Sequence, residues 1–371
     1  MFWPAVFWPY IGGVQTMAGS LLVALREHGH EFIVITERGT QDLPSEDEYE
    51  GIPVYRLPFA AVLEDVDQLM KIRKQVIRLK REFAADLLHT NAVSANDFFH
   101  LTTQAAHPAP WLVTLHGAWP SSCETFVRRT LASADWVVGC SEAILEQGRR
   151  TVPAIRQNSS VIYNALQVPC LPPEPLPFDP PRLLYLGRLS PEKRVDLALD
   201  ALVHVVSRHP SAQLVIAGDG PERERLELQT TGLGLRDHVQ FLGWVDSSDV
   251  PTLVNSATLV LLSSEQEAFG LSALEAALMA RPVVAPRRGG LPEVVEHGST
   301  GLLVDELDAV SLAEAVAWLL EHPESASRMG KAARTRARKA FNWRDCVDAY
   351  DALYEKIVKA RDKSPLEEPY V

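Results

Sequence analysis

Short apolar runs alternate with amphipathic stretches along most of this 371-residue chain. The run at 32–36 is almost entirely apolar, which is typical of a strand covered on both faces in a parallel sheet. Similar runs predict strands at 54–57, 86–89, 111–115, 136–140, 161–163, 182–186, 213–217, 239–242, 259–262, 282–285 and 301–304. Helical periodicity predicts helices at 14–28, 195–208, 313–320 and 343–360. This alternation indicates an α/β fold with parallel sheets.

A proline-rich stretch divides the chain. Seven prolines lie between Pro169 and Pro181, a density that neither a helix nor a central strand tolerates, so we predict a stiff extended linker at 169–181. The predicted domains are 1–168 and 182–342, two Rossmann-like doubly wound domains facing each other across a cleft. Residues 343–371 are predicted as a helix that packs back on the first domain, followed by a tail. Ligands should bind in the cleft, at the carboxyl ends of the strands.

The composition is ordinary for a soluble globular protein and excludes some classes of function. A net charge of −12 argues against nonspecific nucleic-acid binding, and no apolar run is long enough to span a membrane. The amino terminus lacks the basic region and cleavage site of a secretory signal, so we expect a cytoplasmic protein. The first apolar run is short, which raises the expectation that the amino terminus is truncated or reassigned. The four cysteines are far apart and show no zinc-ligand spacing.

The stretch 71–81 carries six cations, no acids, and apolar residues at helical spacing. This pattern allows a weak peripheral contact with a membrane surface. A solvated helix whose apolar side packs on the sheet explains it equally simply, and we favour that interpretation.

The stretch from Glu267 to Glu275 is the strongest candidate for a functional site. It follows the predicted strand 259–262 and leads into Ala276-Ala277-Leu278-Met279, which gives the order strand, loop, helix. The free amides and the dipole of a helix start favour an anion, and Gly270 and Leu271 lie where a phosphate would approach. The two carboxylates would then hold hydroxyls at opposite ends of a nucleotide sugar. A pair of solvated glutamates is the alternative, since acids are frequent in this chain.

Arg188 and Lys193 lie in the loop after the first predicted strand of the second domain. A guanidinium fork and an ammonium point charge together suit a diphosphate. Two solvated cations before a helix are the alternative. Because their strand is predicted to lie in the same sheet as the strand before Glu267, we favour the functional interpretation.

Other candidates follow predicted strands without pointing to one chemistry. Gly13, in Gly12-Gly13, either lets backbone approach a ligand or makes a tight turn. His116 ends the strand 111–115, and both a structural and a functional role stay open. The run Gly218-Asp219-Gly220-Pro221 is better explained as a turn than as a dinucleotide loop. Arg287 and Arg288 either attract an anion or face solvent, and we favour solvent.

Taken together, these residues resemble the retaining glycosyltransferases of family 4. The resemblance runs from about Gly12 to Tyr354. It is carried by the motifs Gly12-Gly13-Val14-Gln15, Gly187-Arg188-Leu189 with Lys193, Gly218-Asp219-Gly220-Pro221, Phe241-Leu242-Gly243, Glu267 to Glu275, Gly289-Gly290-Leu291-Pro292-Glu293 and Gly298-Ser299-Thr300-Gly301-Leu302-Leu303. The resemblance implies a GT-B fold in which the second domain holds a nucleotide diphosphate sugar and the first domain holds the acceptor.

The resemblance also implies roles for single residues. Arg188 and Lys193 would bind the diphosphate, to which Gly270 and Leu271 would supply amides and against which Gly13 would lie. Glu275 would hold the ribose hydroxyls. The catalytic positions would be Glu267, at the hydroxyls of the donor sugar, and His116, pointing at the reacting sugar. The family needs no metal and no bound cofactor, and UDP is its more frequent donor nucleotide.

The chain departs from the family pattern at a few positions. Arg194 stands where glycine is common, Tyr163-Asn164-Ala165-Leu166 replaces Pro-Asn-Gly-Val, and Arg288 replaces a small or apolar residue. The acceptor, which could be a sugar, a lipid, a peptide or a small metabolite, stays open. A phosphorylase, a nucleotide-sugar epimerase and a catalytically silent binding protein are the alternatives to a transferase.

Overall fold

A computed structural model describes residues 1–10, 12–39, 43–60, 65–119 and 121–362. The chain forms two compact units. Unit 1 consists of Met1–Tyr163 together with the chain from Arg344 onward, and unit 2 is Asn164–Trp343. The division therefore falls after Tyr163, whereas the sequence prediction placed it after residue 168.

The proline-rich stretch belongs to unit 2. It is extended, as predicted, but side chains of unit 2 form hydrogen bonds with its backbone. The side chain of Asn255 donates to the carbonyl of Pro172 (3.1 Å) and accepts from the amide of Glu174 (2.9 Å), while buried Arg281 donates to the carbonyl of Glu174 (2.9 Å). The stretch is therefore a fixed edge of unit 2 and not a free linker.

Unit 1 is built on an eight-stranded sheet in the order β3-β4-β2-β1-β5-β6-β7-β8. Only β3, which pairs with β4, is antiparallel; its sequence is acidic and has no apolar run, so the pattern did not predict it. The strands are β1 (Phe2–Pro4), β2 (Val34–Glu37), β3 (Glu46–Tyr49), β4 (Ile52–Leu57), β5 (Leu88–Asn91), β6 (Trp111–Leu115), β7 (Trp136–Gly139) and β8 (Ser159–Val161). The first five helices are α1 (Gly13–Glu27), α2 (Val66–Phe83), α3 (Asn96–Leu101), α4 (Glu124–Ser133) and α5 (Glu142–Thr151).

Unit 2 has a six-stranded parallel sheet in the order β11-β10-β9-β12-β13-β14. The strands are β9 (Arg182–Leu186), β10 (Gln213–Ala217), β11 (Val239–Gly243), β12 (Leu259–Leu261), β13 (Val283–Pro286) and β14 (Gly301–Val304). The helices are α6 (Val195–Arg208), α7 (Arg223–Gly232), α8 (Val250–Asn255), α9 (Leu271–Leu278), α10 (Leu291–Val294), α11 (Ala309–Glu321) and α12 (Pro323–Ala340). The order of strands reverses between β9 and β12, which is where such sheets bind their ligands.

The last helix, α13 (Trp343–Asp362), packs on unit 1 from Arg344 onward. Its apolar stripe is buried, and two of its side chains reach polar groups of the unit. The Tyr354 hydroxyl lies 2.6 Å from Nδ1 of buried His89, and Asp351 bridges His28 (3.0 Å) and His30 (2.7 Å). These contacts fix the helix to the strands and to the end of α1.

Helix α2 contains the basic stretch 71–81. Its apolar residues Ile72, Val76 and Leu79 are buried, so the apolar side packs on the protein as the favoured interpretation expected. Lys80 is also buried, with Nζ 3.0 Å from Nδ1 of His100. The cations left on the exposed side are Lys71, Lys74, Arg78 and Arg81. Among the described helices, none combines the length and the apolar character that a membrane span requires.

Candidate functional site

The loops that carry the predicted donor-binding residues lie side by side in unit 2. Strands β9 and β12 lie in the same sheet, as predicted, and they pair directly in parallel, so the loops that follow them leave the same edge of the sheet. Two hydrogen bonds join these loops directly. The amide of Glu265 donates to the carbonyl of Glu192 (2.9 Å), and Oγ of Ser263 donates to the carbonyl of Lys193 (3.0 Å).

Lys193 and Glu267 form an ion pair across these loops. Nζ of Lys193 lies 2.6 Å from Oε2 of Glu267. The two side chains are 23% and 16% exposed, so they are partly shielded from water yet still reachable by a ligand. Two residues that are 74 positions apart in the chain, and that were predicted to serve one ligand, are therefore in direct contact.

The glycine pair Gly289-Gly290 packs against the backbone of the loop that carries Glu267. The sequence did not predict this contact. The amide of Gly290 donates to the carbonyl of Glu267 (2.8 Å). A Cβ at Gly289 would lie 2.0 Å from that same carbonyl oxygen, and one at Gly290 would lie 2.3 Å from the carbonyl of Ala268. Any side chain at either position would displace the loop. The signal available in the sequence was a glycine pair directly after a strand, which does not by itself identify a partner.

Helix α9 begins beside the ion pair. Gly270 precedes its first residue, Leu271, and adopts a left-handed conformation (φ +102°) that glycine accepts without strain. No side chain caps the start of this helix, whereas Oγ of Ser272 donates to the carbonyl of Leu186 (2.7 Å) and anchors the helix to β9. The uncapped amides and the helix dipole favour an anion at this point.

Glu275 lies in the second turn of α9, on the side of the helix that faces the rest of the protein. Its side chain is partly buried, and burial raises the pKa of the carboxyl to about 8. The group is therefore largely protonated at neutral pH in the free protein. Glu275 forms no salt bridge with any described residue, and a protonated carboxyl can both donate to and accept from ligand hydroxyls.

Arg188 lies in the loop between β9 and α6 and is exposed. Within the described part of the chain it forms no ion pair. The hydroxyl of buried Tyr185 donates to its carbonyl oxygen (2.9 Å), which fixes the backbone while leaving the guanidinium free to meet an anion. Gly218 packs against the same loop: a Cβ there would lie 1.9 Å from the carbonyl oxygen of Gly187. The run at 218–221 thus serves as a close-packed turn, as the sequence indicated.

A tryptophan at this edge of the sheet was not singled out from the sequence. Trp244 directly follows β11 and is 47% exposed. The carbonyl of the residue before it, Gly243, accepts from the amide of Gly218 (2.7 Å), which ties the start of this loop to the one that contacts Gly187. An exposed indole ring offers a flat surface for an aromatic ligand group.

His116 follows β6 in unit 1 and is held by one hydrogen bond. Its Nε2 lies 2.8 Å from Oδ1 of Asn91, a buried residue at the end of β5. Because an amide oxygen only accepts, Nε2 carries the proton and Nδ1 carries the lone pair. Nδ1 is buried and has no partner among the described residues, and burial lowers the pKa of His116 to about 4. The imidazole is therefore neutral at physiological pH.

Gly13 is the first residue of α1 and is exposed. The residue before it, Gly12, is extended (φ −175°), and no side chain caps the helix. The start of α1 therefore offers open backbone at the carboxyl end of the β1 strand.

The sequence left the roles of Arg287 and Arg288 open, and Arg194 departs from the family pattern. Arg287 and Arg288 are both exposed, and Arg287 pairs with Asp305 (2.6 Å). Arg194 precedes α6 at φ +48°, a conformation that favours glycine, which explains why glycine is common at this position in the family. Its guanidinium pairs with Asp196 (3.1 Å).

In the described part of the chain, no three His, Cys, Asp or Glu side chains come together as a metal ion would require.

Two family models match the chain in adjacent stretches. The model described as Glycosyltransferase Family 4 matches residues 11–168, and the model described as Glycosyl transferases group 1 matches residues 172–336. Together they take in most of the chain and follow its two units. The chain belongs to the group 1 glycosyltransferases, with a family 4 domain at its amino-terminal side.

Similar proteins span nearly the whole chain. The glycogen synthase of Mycobacterium tuberculosis is 27% identical over 389 aligned residues, which cover 94% of this chain and 93% of that protein. A sucrose-phosphate synthase from Thermosynechococcus elongatus superimposes with a TM-score of 0.82 at 25% identity and covers 97% of this chain and 100% of its own. HepE of Anabaena, solved with UDP-glucose, has a TM-score of 0.79 at 22% identity and covers 97% and 99%. The fold is the GT-B fold, with two Rossmann-like domains.

Proposed function

We propose that this protein transfers a hexosyl group from a nucleotide diphosphate sugar to an acceptor hydroxyl, with retention of the anomeric configuration and without a metal or bound cofactor. The observation that carries the proposal is the contact between Lys193 and Glu267 beside the uncapped start of α9. It joins a cation for phosphate, a carboxylate for sugar hydroxyls and a row of amides in one place.

The main electrostatic demand of this reaction is the charge that develops on the departing diphosphate. Arg188, Lys193 and the amides of Gly270 and Leu271 supply positive charge and hydrogen-bond donors at the edge of the sheet. These groups stabilise the negative charge of the diphosphate, as a bound divalent cation does in metal-dependent enzymes. We assign Gly13 a backbone contact with the phosphates.

The ion pair also explains how the free protein keeps two ligand-binding groups in position. Without a donor, Lys193 and Glu267 satisfy each other's charge. When the donor binds, the ion pair separates. Lys193 then contacts the diphosphate, and Glu267 accepts hydrogen bonds from the sugar hydroxyls. Glu275, in the second turn of α9, forms hydrogen bonds with the ribose hydroxyls. We assign Glu267 a positioning role and not that of a nucleophile, and His116 the role of a neutral contact to the reacting sugar.

UDP is the donor nucleotide that we favour. HepE, which shares the fold, was solved with UDP-glucose. The exposed ring of Trp244 gives the base a surface to lie on.

A donor panel read by nucleotide release tests the proposal. UDP-glucose, UDP-galactose, UDP-N-acetylglucosamine and GDP-mannose are each incubated with the protein, and slow hydrolysis reports the preferred donor without an acceptor. We expect release from at least one UDP-sugar, loss of release in Lys193→Ala, and normal release in Lys331→Ala, a control that removes an exposed lysine of α12. No release from any donor would contradict the proposal. Release of sugar phosphate when inorganic phosphate is added would identify a phosphorylase, and conversion of the donor sugar would identify an epimerase.

The exposed cations of α2 provide at most a weak electrostatic contact with an anionic membrane surface. Arg78 lies near two acids, 3.9 Å from Glu46 and 3.7 Å from Glu82, and the apolar side of the helix is already buried. Cosedimentation with vesicles of phosphatidylglycerol should therefore be slight and should vanish in 0.5 M salt, at roughly the ionic strength where such contacts are screened.

A further inference from the structure

Two polar side-chain pairs join β5 and β6 on one face of the unit 1 sheet. Nε2 of His89 lies 2.8 Å from Oγ1 of Thr114, and two residues further along both strands Nε2 of His116 lies 2.8 Å from Oδ1 of Asn91. The strands run parallel with Asn91 opposite Thr114, so each pair crosses diagonally between them. Because residues two apart in a strand share a face, the four side chains form one line that ends with Asn91 and His116 at the carboxyl end of the strands.

Helix α13 covers the inner part of this line. The Tyr354 hydroxyl lies 2.6 Å from Nδ1 of His89, and the Tyr350 hydroxyl lies 3.4 Å from Oγ1 of Thr114. Both ring nitrogens of His89 therefore have partners inside the protein. His116 differs, because its buried Nδ1 has no partner among the described residues. A buried acceptor without a partner costs free energy that a ligand hydroxyl would recover.

The partner of His116 is an amide and not a carboxylate. A carboxylate would accept the same hydrogen bond, but its charge would stabilise the imidazolium and raise the pKa of the ring. The amide of Asn91 fixes which nitrogen carries the proton without adding a charge. Within the described residues His116 has no acidic partner, the titratable ring that faces it is the buried His89, and burial lowers its pKa. The lone pair on Nδ1 is therefore kept at neutral pH.

The ring of His116 lies at the boundary between this buried line and the solvent. Its side chain is partly buried, whereas the next residue, Gly117, is exposed and has no atom within 4 Å of its Cβ position. The backbone beside the ring is therefore open, while Asn91 holds the ring from the interior.

We propose that Asn91 is a positioning residue that holds the imidazole of His116 in one orientation and one tautomer, with Nδ1 as an acceptor for a hydroxyl of the reacting sugar. The proposal rests on the proposed function, which gives His116 its contact with that sugar. It also excludes His116 as the acid that protonates the departing diphosphate, since the one ring N–H is donated to Asn91.

Histidine NMR of the full chain tests this without any donor. Two-bond proton–nitrogen spectra, with the His116 signals assigned through His116→Gln, distinguish a protonated ring nitrogen from one that carries a lone pair. In wild type we expect protonated Nε2 and unprotonated Nδ1 from about pH 6 to about pH 9. Asn91→Leu should mix the two tautomers. It should also lower the rate of nucleotide release about tenfold or more, with UDP affinity within about twofold of wild type.

Asn91→Asp restores the acceptor and adds a charge. It should keep the wild-type tautomer at about pH 9 and raise the pKa of His116. Nucleotide release relative to wild type should therefore recover at about pH 9 and fall toward pH 6, because protonation of Nδ1 removes the lone pair. An unchanged titration of His116 in this variant would overturn the inference, and it decides the question if Asn91→Leu does not fold.

Thr90→Val is the matched control. Thr90 precedes Asn91 on β5, points to the opposite face and accepts from Nε1 of Trp111 on β6 (2.7 Å), so this variant removes a buried hydrogen bond between the same two strands. It should keep the tautomer and the release rate of wild type. Wild-type signals and release in Asn91→Leu would overturn the inference, as would an equal loss of release in Thr90→Val. Failure of wild type to bind UDP would instead contradict the donor site, whatever the tautomer of His116.

Discussion

Lys193 and Glu267 show what a sequence reveals about a site and what it leaves out. The residue types were informative, because a cation after one strand suits a diphosphate and a carboxylate after a strand of the same sheet suits sugar hydroxyls. Their direct contact at 2.6 Å was not predictable, since it depends on how two loops close over each other. The same holds for Gly289, whose need for glycine comes from the carbonyl of Glu267. Trp244 carried no signal, because its exposure depends on the neighbouring loops.

Removal of the Glu267 carboxylate separates its role from that of the nucleotide-binding residues. We expect Glu267→Ala to lose turnover by about 100-fold or more, because a group that orients the sugar acts in the transition state. UDP affinity should be kept, since Glu267 is assigned to the sugar and Lys193 is released for the phosphates. The measurements are nucleotide release and calorimetry with UDP. Glu265→Ala, an exposed carboxylate in the same loop, is the control. Wild-type turnover in Glu267→Ala would remove this residue from the site.

Glu275 gives a prediction about pH. Burial raises the pKa of its carboxyl from 4.5 to about 8 in the folded protein, so the folded state holds a proton that the unfolded state has lost between these values. Glu275 therefore lowers the free energy of unfolding progressively as the pH rises from about 4.5 to 8. Glu275→Gln removes this penalty.

Relative to wild type, Glu275→Gln should be more stable by about 1–3 kcal/mol at pH 8 and equally stable near pH 4.5. Urea unfolding at the two pH values measures the difference. A stability gap that does not change with pH would show that this carboxyl ionises normally in the folded protein.

At the scale of elements, prediction worked where the apolar signal was strong. The strands 111–115, 182–186, 213–217 and 301–304 and the helix 195–208 have the predicted bounds. Helix α12 was missed because its buried side is made largely of small residues, among them Ala326, Gly330, Ala333 and Ala337. Small side chains give little apolar periodicity, yet they let the helix approach the end of α9 closely. The small residues of α12 are therefore explained by the close approach of α9 and not by α12 itself.

Gly330 makes this close approach testable. A Cβ at this position would lie 2.0 Å from the carbonyl oxygen of Ala280, so Gly330→Ala should force α12 away and destabilise unit 2 by about 1–3 kcal/mol. Gly232→Ala is the control, because Gly232 is also helical and has open space around its Cβ position. That change should be neutral or should stabilise the protein by up to about 1 kcal/mol. Chemical denaturation of both variants gives the comparison, and equal stabilities would contradict the packing.

At the scale of the whole molecule, the two repeated series of strands and helices were enough to predict two Rossmann-like domains. The division itself was displaced, because a run of prolines indicates an extended backbone but not which unit holds it. Asn255 and Arg281 decide this, and they are far from the prolines in the chain. The return of α13 to unit 1 is one of the predictions made from the sequence, and in the structure it rests on long-range contacts such as Tyr354 with His89.

The central claim is that the edge of the unit 2 sheet at β9 and β12 holds a nucleotide diphosphate. Calorimetric titration of UDP into wild type, Lys193→Ala, Glu275→Ala and the surface control Lys331→Ala tests this most directly. We expect UDP binding by wild type and by the control. We expect affinity reduced by about 10- to 100-fold in Lys193→Ala, the loss expected for a hydrogen bond to a charged group, and by about 3- to 10-fold in Glu275→Ala, whose carboxyl is largely protonated at neutral pH. Unchanged affinity in both site variants, with the fold preserved, would contradict it.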